Sequence, residues 1–103
     1  MNTDTIARLA ALIRDADQIN RWKWDLAPAP RDEQARRATS RKLTHNRIEW
    51  TDAGDEWTAS LTVAFMPPFV SWHIDRDFRR NGRRTNLAAV KRSFARMRHE
   101  IQA

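Results

Sequence analysis

WTASLTVAF, residues 57–65, decides the fold: Trp57, Ala59, Leu61, Val63 and Phe65 fall on one side of an extended chain and Thr58, Ser60, Thr62 and Ala64 on the other. Side chains alternate across a strand with a period of two, so the segment reads as a half-buried strand with an apolar inner face. On its N-terminal side, Thr44 to Thr51 sets Ile48 and Trp50 against Arg47 and Glu49, a second strand, and DAGDE between the two is a polar turn. On its C-terminal side, Pro67 and Pro68 cannot donate to a ladder, which makes MPPF a turn. A third strand then runs from about Phe69 to Asp75 with Val70, Trp72 and Ile74 inward. The three segments predict an antiparallel meander.

Helical periodicity flanks this meander. Residues 3–21 place Ile6, Leu9, Ile13 and Ala16 at spacings of three and four, with Leu12 and Ile19 widening the stripe; Asn2 or Thr3 caps the helix, and Asp4 suits the exposed donors of its first turn. Trp22 and Trp24 follow. DLAPAP, residues 25–30, is an extended linker, because proline disfavours helix in the residue before it. From Pro30 the charges run in the order a helix dipole favours, Asp32 and Glu33 first, then Arg36, Arg37, Arg41 and Lys42, predicting a short, mostly exposed helix over 31–42. At the other end DFRRNGRRT, residues 77–85, reads as a basic loop turning at Asn81-Gly82, with Thr85 as cap. Leu87, Val90, Phe94, Met97 and Ile101 then mark one apolar stripe over 86–102. The expected fold is one α+β domain over residues 1–103: a three-stranded antiparallel meander covered on one face by the C-terminal and N-terminal helices, with the short basic helix at one edge.

Composition narrows the functions. With 103 residues there is room for one modest core, and five Trp and four Phe can fill it. The absence of cysteine removes disulfide scaffolds, thiolate metal sites and cysteine catalysis together. The first seventeen residues are interrupted by Asp4, Arg8, Arg14, Asp15 and Asp17. They fit neither a signal peptide nor a membrane span, so the expected location is the cytoplasm, with no membrane partner.

The net charge is +6, and sixteen Arg against three Lys supply the positive side. A coding bias toward arginine would account for the number but not for the placement, which is uneven. Residues 1–30 are neutral, 31–51 carry +3, 52–78 carry −4 and 79–103 carry +7. Arg79, Arg80, Arg83 and Arg84 lead into a helix bearing Lys91, Arg92, Arg96, Arg98 and His99 on its polar side. Guanidinium forks match phosphate oxygens bidentately, and the free N–H groups at a helix start add donors for an anion. The segment therefore points to nucleic acid as partner, aided by Arg36, Arg37, Arg41 and Lys42. An acidic protein surface is the alternative, with Trp22 or Trp24 as anchors.

From residue 31 onward the elements read α-β-β-β-α, with Gly82, Arg83 and Arg84 before a last helix that contains Ala88, Ala89 and Lys91. This order resembles the double-stranded-RNA-binding domain over about seventy residues. The resemblance implies that the glycine and basic pair contact phosphates across an RNA groove. Separately, TIARLAALIRDAD looks like the opening of short uncharacterised proteins of actinobacteria and their phages, which implies a small regulator or inhibitor of a host protein.

Enzyme chemistry has little to build on. His73, Asp75 and Asp77 alternate on one face of a strand, where divalent-metal binding is conceivable, but Arg76 and Arg79 stand ready to neutralise the carboxylates and no nuclease-like Glu or Lys accompanies them. His45 and His99 are expected to be solvated. P-loop, dinucleotide-turn and serine-elbow motifs are missing. The expectation is a non-catalytic binding protein without metal or cofactor.

Overall fold

The computed structural model describes residues 3–22, 32–66 and 71–102. They form helix α1 (Thr3–Arg21), helix α2 (Glu33–Leu43), strands β1 (His45–Asp52), β2 (Asp55–Met66), β3 (Ser71–Arg80) and β4 (Arg83–Arg84), and helix α3 (Leu87–Gln102). The strands make one antiparallel sheet in sequence order. The expected α+β architecture is present, with one addition. The stretch anticipated as a basic loop is a β-hairpin: β3 does not end near Asp75 but continues to Arg80, and β4 pairs back on it.

Two-residue turns at Ala53-Gly54 and Asn81-Gly82 put both hairpin tips at the same end of the sheet. All four residues have positive φ, the type I′ geometry whose twist matches that of the flanking strands. Asn81 also ties the two tips together, since its N–H donates to the Glu56 carbonyl at 2.6 Å and its side-chain oxygen accepts from the Glu56 N–H at 2.9 Å.

Alternation in β2 holds as read: Trp57, Ala59, Leu61 and Val63 are buried on the inner face. Register adds Ile48 and Trp50 from β1 and Phe78 from β3 to the same face. Trp50 and Trp57, directly opposite one another, stack with ring centroids 5.8 Å apart and planes 11° apart.

Two helices lie across this inner face in opposite directions. Early in α1, Arg8 reaches the Arg47 carbonyl on β1; past its end, Trp22 meets Trp72 on β3. Helix α3 starts beside β3, where the Thr85 N–H bonds the Phe78 carbonyl, and arrives over β1, where Ser93 and Arg96 meet Trp50 and Asp52. Leu9, Leu12, Ala16 and Ile19 of α1 and Val90 and Met97 of α3 complete the core, with Ile6, Ile13, Leu87 and Phe94 half-buried around it. Asn86 rather than Thr85 caps α3, its side-chain oxygen accepting from the Ala89 N–H at 2.9 Å.

Helix α2 is capped by Asp32, whose carboxylate accepts from the N–H groups of Gln34 and Ala35. It sits at the end of β2 away from the tips. There Ser40 and Thr44 donate their hydroxyls to the Val63 carbonyl, and the Thr44 hydroxyl accepts from the Val63 N–H at 3.0 Å. The second sheet face, with Thr58, Ser60 and Thr62 of β2 between β1 and β3, has no described helix packed on it. Trp24, the 25–30 linker, the Asn2 cap, the Pro67-Pro68 turn, Phe69 and Val70 lie outside the described residues, as do the side chains of Phe65 and Ile101.

Candidate nucleic-acid interface

The hairpin tip gathers five of the cationic residues singled out by sequence, and their surroundings divide them. Residues paired across a ladder share a face, so Arg80 and Arg83 project to the helix side of the sheet and Arg79 and Arg84 to the open side. Arg80, Asn81, Arg83, Arg84 and Thr85 line a shallow concavity of about 510 Å³.

Arg79 donates to Asp77 at 2.9 Å and to the Gly82 carbonyl at 3.1 Å. Arg80 donates through Nε to Asp55 at 2.9 Å, and its guanidinium lies 5.4 Å from the centroid of the Trp57 ring. Arg96 reaches the tip from α3, donating through Nε and Nη2 to Asp52 at 3.0 and 2.6 Å. Arg83 and Arg84 are exposed, and no carboxylate lies within 4 Å of either among the described residues.

Burial decides which of these cations an incoming phosphate can claim. The Arg79–Asp77 and Arg80–Asp55 pairs are open to water, where an ion pair is worth about 0–1 kcal/mol and a polyanion can displace the carboxylate. Asp52 differs, its side chain being 2% exposed, and it also accepts from the Ser93 hydroxyl, which in turn accepts from the Trp50 indole N–H at 2.9 Å. Taking Arg96 away would strand a buried charge, so Arg96 belongs to the fold before it belongs to any ligand. The Asp55 carboxyl is held below its ordinary 3.8 by hydrogen bonds from Asn81 and then Arg80, with the Arg96 charge adding to the effect.

The remaining candidates are distributed elsewhere. Lys91 points sideways from α3 and donates to Asp17 of α1 at 2.6 Å, fastening the two helices. Arg92 projects outward from α3, with no ion pair among the described residues. Arg98 lies over the Phe94 ring and His99 is exposed. Arg37 pairs with Glu33 one turn earlier at 2.8 Å, Arg36 is half-buried, and Arg41 and Lys42 are exposed at the C-terminal end of α2. Helix α2 docks at Val63, six residues along β2 from Trp57, which sets its cations about 20 Å from the tip. The structure therefore places Arg79, Arg80, Arg83, Arg84 and Arg96 at one end of the sheet but divides them between its two faces, with Arg79, Arg80 and Arg96 held by carboxylates, and leaves Arg36, Arg37, Arg41 and Lys42 as a separate group.

Several polar residues that sequence reading passed over are structural. His45, expected to be solvated, is largely covered and shares a 2.7 Å hydrogen bond with Asp15, which is buried at the flank of the α1 stripe. Ser93, three residues after Val90 in the α3 stripe, is fully buried. The acidic Asp15 within an apolar stripe was a visible signal; its partner, thirty residues later, was not. Among the described residues no group of three or more His, Asp or Glu is arranged to hold a metal ion, and His73 and Asp75 are exposed beside an Asp77 that Arg79 already engages. No helix among the described residues is long and apolar enough to cross a membrane.

No protein-family model, curated protein or solved structure matches the chain.

Proposed function

We propose that the protein binds nucleic acid without catalysis, using the β3–β4 hairpin as its phosphate-reading element. The observation that carries this reading is the exposed Arg83-Arg84 pair, with no carboxylate within 4 Å among the described residues, on a hairpin braced by Asn81. Both guanidinium groups are exposed beside the shallow concavity, where their planar forks can take phosphate oxygens. Arg92 extends the contact along α3, and Arg79 and Arg80 join by exchanging half-buried carboxylates for phosphates. About five phosphates would then be engaged, giving a salt slope of roughly −4 to −5. The α-β-β-β-α order read from the sequence resembles the double-stranded-RNA-binding domain, and although β4 adds a strand to it, duplex RNA is one of the ligands to test.

The test is fluorescence anisotropy with labelled duplex RNA, duplex DNA and single strands at about 0.1 M salt. Saturable binding that weakens with salt supports the proposal, and no shift with any of these probes removes it. A second reading, a small regulator of phage type that docks on an acidic host protein, draws support from Arg79 and Arg80, which hold carboxylates in the free protein. Retention of one protein from a nuclease-treated extract, released by poly-glutamate but not by RNA, would favour it.

A further inference from the structure

Arg83 and Arg84 follow one another on β4, the last strand in the sheet order, so their side chains leave opposite faces of its outer edge. Each face repeats the cation on β3: Arg83 stands across from Arg80 on the helix side, and Arg84 across from Arg79 on the open side. Arg92, exposed on α3, adds to the helix side. Gly82, Arg83 and Arg84 are exposed, and every residue from Trp72 to His99 is described, side chains included. The aromatic rings at this end of the sheet, Trp50, Trp57 and Phe78, are all buried on the inner face. Most carboxylates here lie on the side away from β4: Trp57 is set across from Arg80, and the exposed Glu56, Asp55 and the Ala53-Gly54 turn continue past that level. Asp77, on β3 itself, is held by Arg79.

Resting on the nucleic-acid reading above, we propose that the ligand is B-form duplex DNA, with the β4 edge lying in its major groove. Arg83, Arg80 and Arg92 then meet one phosphate wall, and Arg84 and Arg79 the other. Cations on two opposite faces are all used only by a ligand with phosphates on both sides, which a duplex groove provides. A sheet with its side chains is about 10 Å thick, which suits the B-form major groove of about 12 Å and not the minor groove of about 6 Å. An A-form RNA helix offers a major groove too narrow for side chains and a minor groove too shallow to wall in an edge. Single-strand binders stack bases on exposed aromatic rings, and the rings at this end are buried. A tip-first approach would drive Glu56 toward the phosphates, so the duplex comes in along β4 instead. Contacts to the two walls position the protein without reading sequence.

The test compares one sequence of about 20 base pairs as duplex DNA, duplex RNA and single-stranded DNA, by fluorescence anisotropy at about 0.1 M salt. Duplex DNA is expected to bind about tenfold more tightly than either of the others. The same duplex carrying glucosylated 5-hydroxymethylcytosine, whose sugars fill the major groove, should lose about tenfold in affinity. Netropsin, which fills the minor groove, should not displace the protein. Arg83→Ala and Arg84→Ala, made singly, should each flatten the salt slope on duplex DNA by about 1, one for each wall. Equal or tighter binding of RNA or single strands overturns the groove placement and leaves nucleic-acid binding standing. So does indifference to glucosylation, displacement by netropsin, or a slope that responds to only one of the two arginines. No binding to any of these probes removes both.

Discussion

Asn81 and Glu56 exchange two hydrogen bonds across the sheet end, one from each N–H, and the Asn81 side-chain amide donates a third to Asp55 at 2.8 Å. One turn residue thus fastens the β3–β4 hairpin to the start of β2. Asn81→Gly keeps the positive φ that the turn needs but loses both side-chain bonds. It should lower unfolding free energy by about 1–2 kcal/mol in urea titrations. An unchanged midpoint would mean that the backbone bond alone holds the tip.

The same contact sets a pH dependence. The folded pKa of Asp55 is depressed, first by Asn81 and then by Arg80, so the carboxylate's contribution to stability is complete above its ordinary 3.8 and is lost as pH falls through the lower folded value. Carboxyl NMR titration should place Asp55 below 3.8 in the native protein and closer to it in Asn81→Gly. Coincident titration curves for the two proteins would refute this.

A buried chain of polar atoms, Trp50 to Ser93 to Asp52 to Arg96, seats α3 on β1. Ser93→Ala leaves the Trp50 N–H and one side of Asp52 unsatisfied in the core and should cost about 2 kcal/mol. Asp52→Ala should cost about 2–3 kcal/mol, at the low end for a broken buried pair because Arg96 can turn to water. Thermal melts of both variants measure these losses, and near-wild-type melting would mean that apolar packing alone seats the helix.

Ala53 occupies the left-handed region at φ 52°, where its Cβ crowds the next carbonyl. Ala53→Gly should therefore stabilise the β1–β2 hairpin by about 0.5–1 kcal/mol, and Ala53→Asn should do so as well. Loss of stability in both would show that the Ala53 methyl makes a contact outweighing the strain.

Arg83→Ala with Arg84→Ala removes two exposed cations that have no ion pair among the described residues. It should weaken binding to every nucleic-acid sequence alike and flatten the salt slope by about 2, with little change in melting temperature. Arg37→Ala, which breaks an exposed pair on α2, is the control expected to leave the slope unchanged. Equal effects of the two changes would displace the site from the hairpin.

What could be read beforehand followed from apolar periodicity. Trp57 to Val63 and Leu87 to Met97 declare a strand and a helix because their buried positions are apolar, with Ser93 the one polar exception. The far half of β3 does not: of Arg76, Phe78 and Arg80 on its helix side only Phe78 is apolar, and the acids and bases around them resemble a solvated loop. The grouping of cations was legible as charge along the chain. Their pairing was not, because Asp17, Asp52 and Asp55 reach Lys91, Arg96 and Arg80 over separations of 25 residues or more. Separation in sequence hides which charges the fold consumes and which it leaves for a ligand.

The hydroxyl of Thr44 stands in for a neighbouring strand, giving Val63 both a donor and an acceptor where β1 no longer runs alongside. The Val63 amide should accordingly exchange with deuterium as slowly as an interior amide, and its protection should vanish whenever α2 detaches. A single hydroxyl thereby makes the departure of a helix visible as the labelling of one proton.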